Sequence, residues 1–141
     1  MIRFTSHSPK ETETFAAELA LRLRPGDVLA FQGGLGAGKT AFVRGLARTL
    51  SPDAQVSSPT FALVNDYGGD IPFYHFDMYR ITSMDDLYST GFFDYLDMGG
   101  ILAIEWSENI QFALPSDTIT VSIEPIGEEE RNITVTGGER F

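Results

Sequence analysis

At 141 residues and 43% hydrophobic content, the chain has the size of one domain with a real core and is too short for a nucleotide domain plus a separate substrate domain. It contains no cysteine, which excludes disulfides, thiolate zinc sites and cysteine nucleophiles. A formal net charge of −10 argues against this surface holding nucleic acid by itself, because phosphate backbones are gripped through Lys and Arg.

The N-terminal residues Met1 to His7 lack a long apolar core, and no run approaches the ~20 apolar residues of a membrane span, so a soluble, cytoplasmic protein is expected. Ile2 and Phe4 alternate with polar neighbours and suggest a short first strand. Ser8-Pro9-Lys10-Glu11 reads as a helix start, with Ser8 as N-cap, Pro9 at the first helical position and Glu11 closing a capping box. Phe15, Ala16, Leu19, Ala20 and Leu23 supply its buried stripe, and Pro25-Gly26 ends it.

Asp27 to Phe31 is an apolar run suited to a buried strand. Gly33, four residues, then Gly38-Lys39-Thr40 satisfies the phosphate-loop pattern G-x-x-x-x-G-K-[ST], in which glycines let successive backbone N–H groups face a phosphate. Phe42, Val43, Leu46, Ala47 and Leu50 then share one helical face. Strand, glycine loop and helix in that order aim the helix dipole and its free N–H groups at an anion. Lys39 is expected on the β- and γ-phosphates, with the Thr40 hydroxyl on Mg²⁺.

Ser51-Pro52-Asp53 is a turn. Phe61 to Asn65 and Ile71 to Phe76 read as two strands of an antiparallel hairpin around Gly68-Gly69-Asp70, with Pro72 tolerated near a strand start. Ser83 opens a short helix that stops at Gly91, and Phe92 to Leu96 form a second. Gly99-Gly100 introduces the buried strand Ile101 to Ile104. Ile119, Val121 and Ile123, then Ile133 and Val135, alternate with polar residues on either side of residues 125–130, giving a C-terminal hairpin with one wet face. The tail Gly137 to Phe141 is expected to fray.

A phosphate-loop enzyme also needs a carboxylate near Mg²⁺ at the end of a neighbouring strand. Glu105 has that position after four apolar residues, against the simpler reading of a solvent-facing glutamate. Asp77, after Tyr74-His75-Phe76, is the second candidate, although an Asp there is also an ordinary turn residue. Thr60, in Ser58-Pro59-Thr60, lies where nucleotide switches order a hydroxyl on the γ-phosphate and Mg²⁺. His75 reads as a packed or hydrogen-bonded histidine, Trp106 as a packing residue, and Glu128 to Glu130 as a solvated loop whose acids Arg131 could pair.

Gly34-Leu35-Gly36-Ala37-Gly38-Lys39-Thr40, Ser58-Pro59-Thr60-Phe61, His75-Phe76-Asp77-Met78-Tyr79-Arg80 and Glu105-Trp106 occur in the order and spacing of the TsaE (YjeE/YdiB) ATPases of bacteria, which the chain resembles over nearly its whole length. Met78 stands where leucine is commoner in that pattern. The motif and the resemblance together imply an α/β, three-layer P-loop NTPase-like fold as a single domain over residues 1–141. Its mixed sheet would be flanked by helices, with antiparallel hairpins in the middle and at the C-terminus. The resemblance implies a part in making N6-threonylcarbamoyladenosine, the modified base beside the anticodon of tRNAs reading codons that begin with A. In that family the TsaD–TsaB pair is the transferase, and TsaE binds the pair and hydrolyses ATP to support turnover.

Carried over by position, Gly36, Ala37, Gly38, Lys39, Thr40 and Ala41 would wrap the phosphates of ATP or ADP, and Thr40 and Glu105 would hold Mg²⁺. Asp77 would act near the metal or the attacking water, and Thr60 in the switch-like loop. Arg131 resembles the family's C-terminal arginine at the nucleotide, and Pro9 lies near an adenine-side contact. The acidic charge suits a protein whose partners hold the tRNA. A small-molecule kinase shares the phosphate loop but usually clamps its acceptor with several arginines, whereas Arg80 is the only Lys or Arg between Arg48 and Arg131. A GTPase would need an Asn-Lys-x-Asp stretch, which is missing. A nucleotide-sensing binding module without useful hydrolysis differs only in turnover.

Overall fold

The computed structural model describes residues 1–34, 38–57, 63–138 and 140–141. In chain order the elements are β1 (Ile2–Ser6), α1 (Pro9–Ala20), β2 (Val28–Gln32), α2 (Lys39–Leu50), β3 (Val64–Gly68), β4 (Phe73–Asp77), α3 (Met84–Ser89), α4 (Phe92–Leu96), β5 (Ile101–Glu105), a kinked 3₁₀ stretch (Ser107–Ala113), β6 (Ile119–Pro125) and β7 (Arg131–Thr136). The seven strands form one mixed sheet in the order β1-β7-β6-β2-β5-β4-β3. β6, β2, β5 and β4 run parallel, and antiparallel pairs close both sides.

The central strands β2 and β5 are apolar up to their last residues, Gln32 and Glu105, because both faces are covered. On one face Leu29, Phe31, Phe73, Ile101 and Ala103 pack beneath α1 and α2. On the other, Val28, Tyr74, Phe76, Leu102 and Ile104 meet Leu87, Phe92 and Ile110. Since side chains alternate across a strand, Glu105 falls on the α1–α2 face with Ala103, and His75 and Asp77 fall there with Phe73. Met78 is fully buried on the opposite side, where its unbranched, adaptable side chain packs into the second core cluster.

Ser8 and Ser83 cap α1 and α3 by accepting from the N–H groups of Glu11 and Asp86, both at 3.1 Å. The expected capping box is half formed. The Glu11 carboxylate turns outward to the His7 N–H and ring rather than to the N-cap N–H. α1 and α2 touch at Gly45, where a Cβ would stand 2.2 Å from the Glu13 carbonyl oxygen.

Three expectations are corrected. The strand expected at Phe61 to Asn65 has Phe61 and Ala62 outside the described residues; β3 runs over Val64–Gly68, entered after Leu63, whose left-handed φ of 63° is incompatible with a strand. Leu23 is buried but lies beyond α1, in the turn that follows. The described end of the tail, Arg140 and Phe141, is docked on the domain instead of standing free. Arg140 pairs with Asp27 and exchanges backbone contacts with Arg22, while both guanidiniums cover the Phe141 ring. Pro72 precedes β4 and still serves the sheet, because its carbonyl accepts from the Ile101 N–H.

Candidate functional site

The parallel strands all point one way, so the C-terminal ends of β2, β4, β5 and β6 and the start of β7 share one edge of the sheet. In parallel α/β sheets that edge is where ligands collect. α2 begins there, immediately after the glycine loop. Its N-cap is Gly38, in the left-handed region at φ 100° and without any side-chain cap, unlike the serine caps of α1 and α3. Among the described residues, the first N–H groups of α2, those of Lys39, Thr40 and Ala41, have no side-chain acceptor.

Lys39 is the unusual charge of the molecule. It is only 6% exposed, its ammonium donates to the Gly33 carbonyl at 3.1 Å, and it lies 4.9 Å from the centre of the Trp106 ring. Among the described residues no carboxylate is within ion-pair distance of it. A buried cation with a carbonyl and a ring for company is electrostatically incomplete, and an anion at the α2 N-terminus would complete it.

Glu105 faces the interior rather than solvent, at 7% exposure. Its Oε2 lies 2.6 Å from His75 Nε2, and His75 is wholly buried on the adjacent strand. Asp77 stands opposite Glu105 in the β4–β5 register and is half-buried. One of its oxygens accepts from the Tyr79 N–H at 2.9 Å, so the residue shapes the local turn while its second oxygen stays at the edge. Trp106 has a left-handed φ of 58°, and the sharp turn lets Ser107 donate to the Phe31 carbonyl at 2.9 Å, tying the end of β5 to the phosphate-loop strand. Asn109 holds the carbonyls of Met78 and Tyr79, fixing the other side of the same turn.

Arg131 begins β7, opposite Pro125 of β6 and Ser6 of β1. Its side chain passes within 3.9 Å of where a Gly38 Cβ would stand, and its guanidinium donates to the carbonyls of Gly127, Glu128 and Glu130. The structure thus gathers Gly38, Lys39, Thr40, Asp77, Glu105 and Arg131 on one edge. Ala41 is buried by its side chain, leaving its N–H as its means of contact. Pro9 is exposed at the start of α1, three residues beyond Ser6. Gly36, Ala37 and Thr60 lie outside the described residues. Trp106, which reads from the sequence as a packing residue, shares the site through Lys39 and meets the exposed Tyr79 ring at a tilt. The Lys39 contact had no signal beyond its place after Glu105.

The donor set suits a hard divalent cation. Two carboxylates and the Thr40 hydroxyl offer oxygen ligands only, while among the described residues no cluster of three His, Cys or acidic side chains forms a self-sufficient metal cage. That combination fits Mg²⁺, which keeps its waters and is shared between one or two carboxylates and phosphates.

Comparison with known proteins agrees with this geometry. The family model of the threonylcarbamoyl adenosine biosynthesis protein TsaE matches residues 6–133. The tRNA threonylcarbamoyladenosine biosynthesis protein TsaE of Treponema pallidum is 37% identical over 134 residues, covering 95% of this chain and 99% of that one. The protein of the same name from Bacillus subtilis is 37% identical over 142 residues, covering 99% and 89%. The crystal structure of Bacillus subtilis YdiB superposes with a TM-score of 0.79 at 32% identity, covering 99% of this chain and 88% of that one, and the fold is P-loop NTPase-like. Among the described residues no helix is long and apolar enough to cross a membrane.

Proposed function

The chain belongs to the TsaE family of tRNA threonylcarbamoyladenosine biosynthesis, and from that premise we propose that it is a Mg²⁺-dependent ATPase that binds the TsaD–TsaB transferase and supports its turnover. The observation that carries the nucleotide reading is Lys39, a buried ammonium with no carboxylate partner among the described residues, at the N-terminus of α2.

In this reading Lys39 neutralises the β- and γ-phosphates, and the N–H groups from Gly38 to Ala41 face their oxygens. Thr40, Glu105 and Asp77 would hold Mg²⁺, which when bound neutralises charge developing on the phosphates. Asp77, with one oxygen occupied by the Tyr79 N–H, keeps the other for the metal's water shell or the attacking water. Arg131 answers the phosphates from β7. The family pattern assigns Gly36, Ala37 and Thr60 to the phosphates and the switch-like loop, and Pro9 to the adenine side. The net charge of −10 fits a cytoplasmic protein that meets tRNA only through its partners. A kinase is disfavoured because Arg80, the one Lys or Arg in the middle of the chain, is exposed rather than aimed at an acceptor pocket.

The test is steady-state ATP hydrolysis by the purified protein, alone and with a purified TsaD–TsaB pair, with Lys39→Ala as blank. A large rise on adding the pair, absent in the variant, is expected. No rise despite complex formation and nucleotide binding would move the reading to a nucleotide-sensing module. Transfer of phosphate to a small acceptor would move it to a kinase.

A further inference from the structure

Behind Glu105 runs a chain of polar contacts that the phosphate-loop chemistry does not itself require. His75 Nε2 meets Glu105 Oε2 at 2.6 Å, and His75 Nδ1 meets the Tyr67 hydroxyl at 3.0 Å. The Tyr67 oxygen lies 2.9 Å from the Ser57 carbonyl and 3.3 Å from the Ser57 N–H, and Asn65 donates to the same carbonyl at 2.9 Å. Four residues, from β3, β5 and the segment before β3, thus hold one imidazole ring by both nitrogens.

The backbone is bent to allow this. The β3–β4 register shifts between Asp66 and Gly68, which leaves Tyr67 as the extra residue of a bulge. Bulges of this kind re-aim a side chain beside a site. Here the bulge brings the Tyr67 hydroxyl to the His75 ring, while Asn65 sits directly opposite His75.

Burying an imidazole among Phe73 and Ala103 costs more than an apolar side chain would, unless both its nitrogens are satisfied. The fold satisfies both. An ionised carboxylate only accepts, so Nε2–H must be the donor to Glu105, and that fixes which oxygen of Glu105 is engaged. Among the described residues no hydrogen bond engages Oε1.

We propose that His75 and Tyr67 are positioning residues: the Ser57–Tyr67–His75 chain holds Glu105 by Oε2 and so presents Oε1 to the divalent cation of the bound nucleotide. This rests on the ATPase reading above. Partners of ligating carboxylates behave this way in metal sites, where their loss costs about 10- to 100-fold in metal affinity or activity.

The experiment measures Mn²⁺ binding to the ADP complex through the electron paramagnetic resonance signal of free Mn²⁺, and ADP affinity separately in EDTA. His75→Leu is expected to weaken ADP-dependent Mn²⁺ binding about 10- to 100-fold and to lower kcat with the TsaD–TsaB pair, with little change in KM. Tyr67→Phe, which removes one hydroxyl from a half-buried ring, is expected to move both in the same direction by less. His75→Gln, whose amide N–H can take the Nε2 position, is expected to recover most of the loss. Metal-free ADP affinity should stay within about twofold throughout, a separation that a merely structural defect would not give.

Unchanged Mn²⁺ affinity in both folded variants overturns the proposal, and Tyr67→Phe alone decides it if His75→Leu does not fold. Parallel losses of metal-free ADP affinity and Mn²⁺ affinity also overturn it. A wild-type protein that binds no ADP at all overturns the nucleotide reading and this proposal together, an outcome distinct from the others.

Discussion

Replacing Lys39 by methionine separates a structural lysine from a phosphate lysine. Among the described residues of the nucleotide-free protein, the ammonium meets one carbonyl by a hydrogen bond and one ring. A hydrogen bond to a charged group contributes roughly 1.5–3 kcal/mol, and a cation over a ring about 0.5–2 kcal/mol. Against these stands a desolvation cost of several kcal/mol for a buried ion. The terms nearly cancel, so Lys39→Met, which keeps the unbranched stem, should change nucleotide-free stability by no more than about 1 kcal/mol.

Binding is another matter. An ammonium ~4 Å from a phosphate charge contributes on the order of 4 kcal/mol at an effective dielectric constant of 20, so a loss of about 100-fold in affinity is a conservative expectation. At a nucleotide concentration of 100 Kd the wild type gains about 2.7 kcal/mol of stability, roughly 10 °C in Tm for a chain of this size, and the variant only about 0.4 kcal/mol. Thermal denaturation with and without Mg-ADP reads both numbers. A nucleotide-free variant destabilised by about 3–5 kcal/mol, the signature of a broken buried pair, would refute the reasoning, as would an undiminished ADP shift.

Three further outcomes follow from particular contacts. Gly45→Ala gains about 1 kcal/mol of helix propensity but places a Cβ 2.2 Å from the Glu13 carbonyl oxygen, which forces α1 and α2 apart. With overpacking at about 1–3 kcal/mol, urea denaturation should show a net loss, and ADP affinity should fall because α2 carries Lys39 and Thr40. Arg140→Ala removes the pair with Asp27 and the contact with the Arg22 carbonyl, so stability should drop by about 1–2 kcal/mol and amide exchange at Gly137 and Phe141 should quicken. The Asp86 carboxyl is held below its ordinary value by the Thr82 N–H and then the Thr82 hydroxyl at the start of α3. Its contribution is present above the unfolded-state value and fades as pH falls through the lower folded value, so Asp86→Asn should flatten the acid side of the stability profile below about pH 4.

What could be read from the sequence was local. The buried strands β2, β4 and β5 announce themselves as apolar runs, and the β6–β7 pair as alternation, because the first three are covered on both faces and the last two on one. The expected strand ends at Asn65, three residues short of the end of β3, for the opposite reason. The β3 sequence Val-Asn-Asp-Tyr-Gly is mostly polar, lies at the end of the sheet, and spends Asn65 and the Tyr67 hydroxyl on hydrogen bonds. An apolarity rule therefore slides the strand toward Phe61. The docked tail escaped for a related reason: Gly137-Gly138 looks like a frayed end until Asp27, more than a hundred positions earlier, supplies the ion pair.

Within the site, the groups visible in sequence are those whose role depends on neighbours in the chain. Lys39 is defined by the glycines before it, and Glu105 by the apolar run that ends in it. The partners that tune them depend on register. His75 reaches Glu105 because β4 and β5 run parallel with Asp77 opposite Glu105, and a slip of one residue would turn His75 to the α3–α4 face. Trp106 reaches Lys39 only because residue 106 adopts a left-handed conformation that indole-bearing residues rarely take, held by the Ser107 bond to the Phe31 carbonyl. Ser107→Ala should therefore act at a distance: with the turn released, the indole should leave the Lys39 ammonium. Trp106 is the sole tryptophan of the chain, so intrinsic fluorescence reports that movement directly. An emission spectrum and an ADP-induced change identical to wild type would show that the Ser107 bond does not hold the turn.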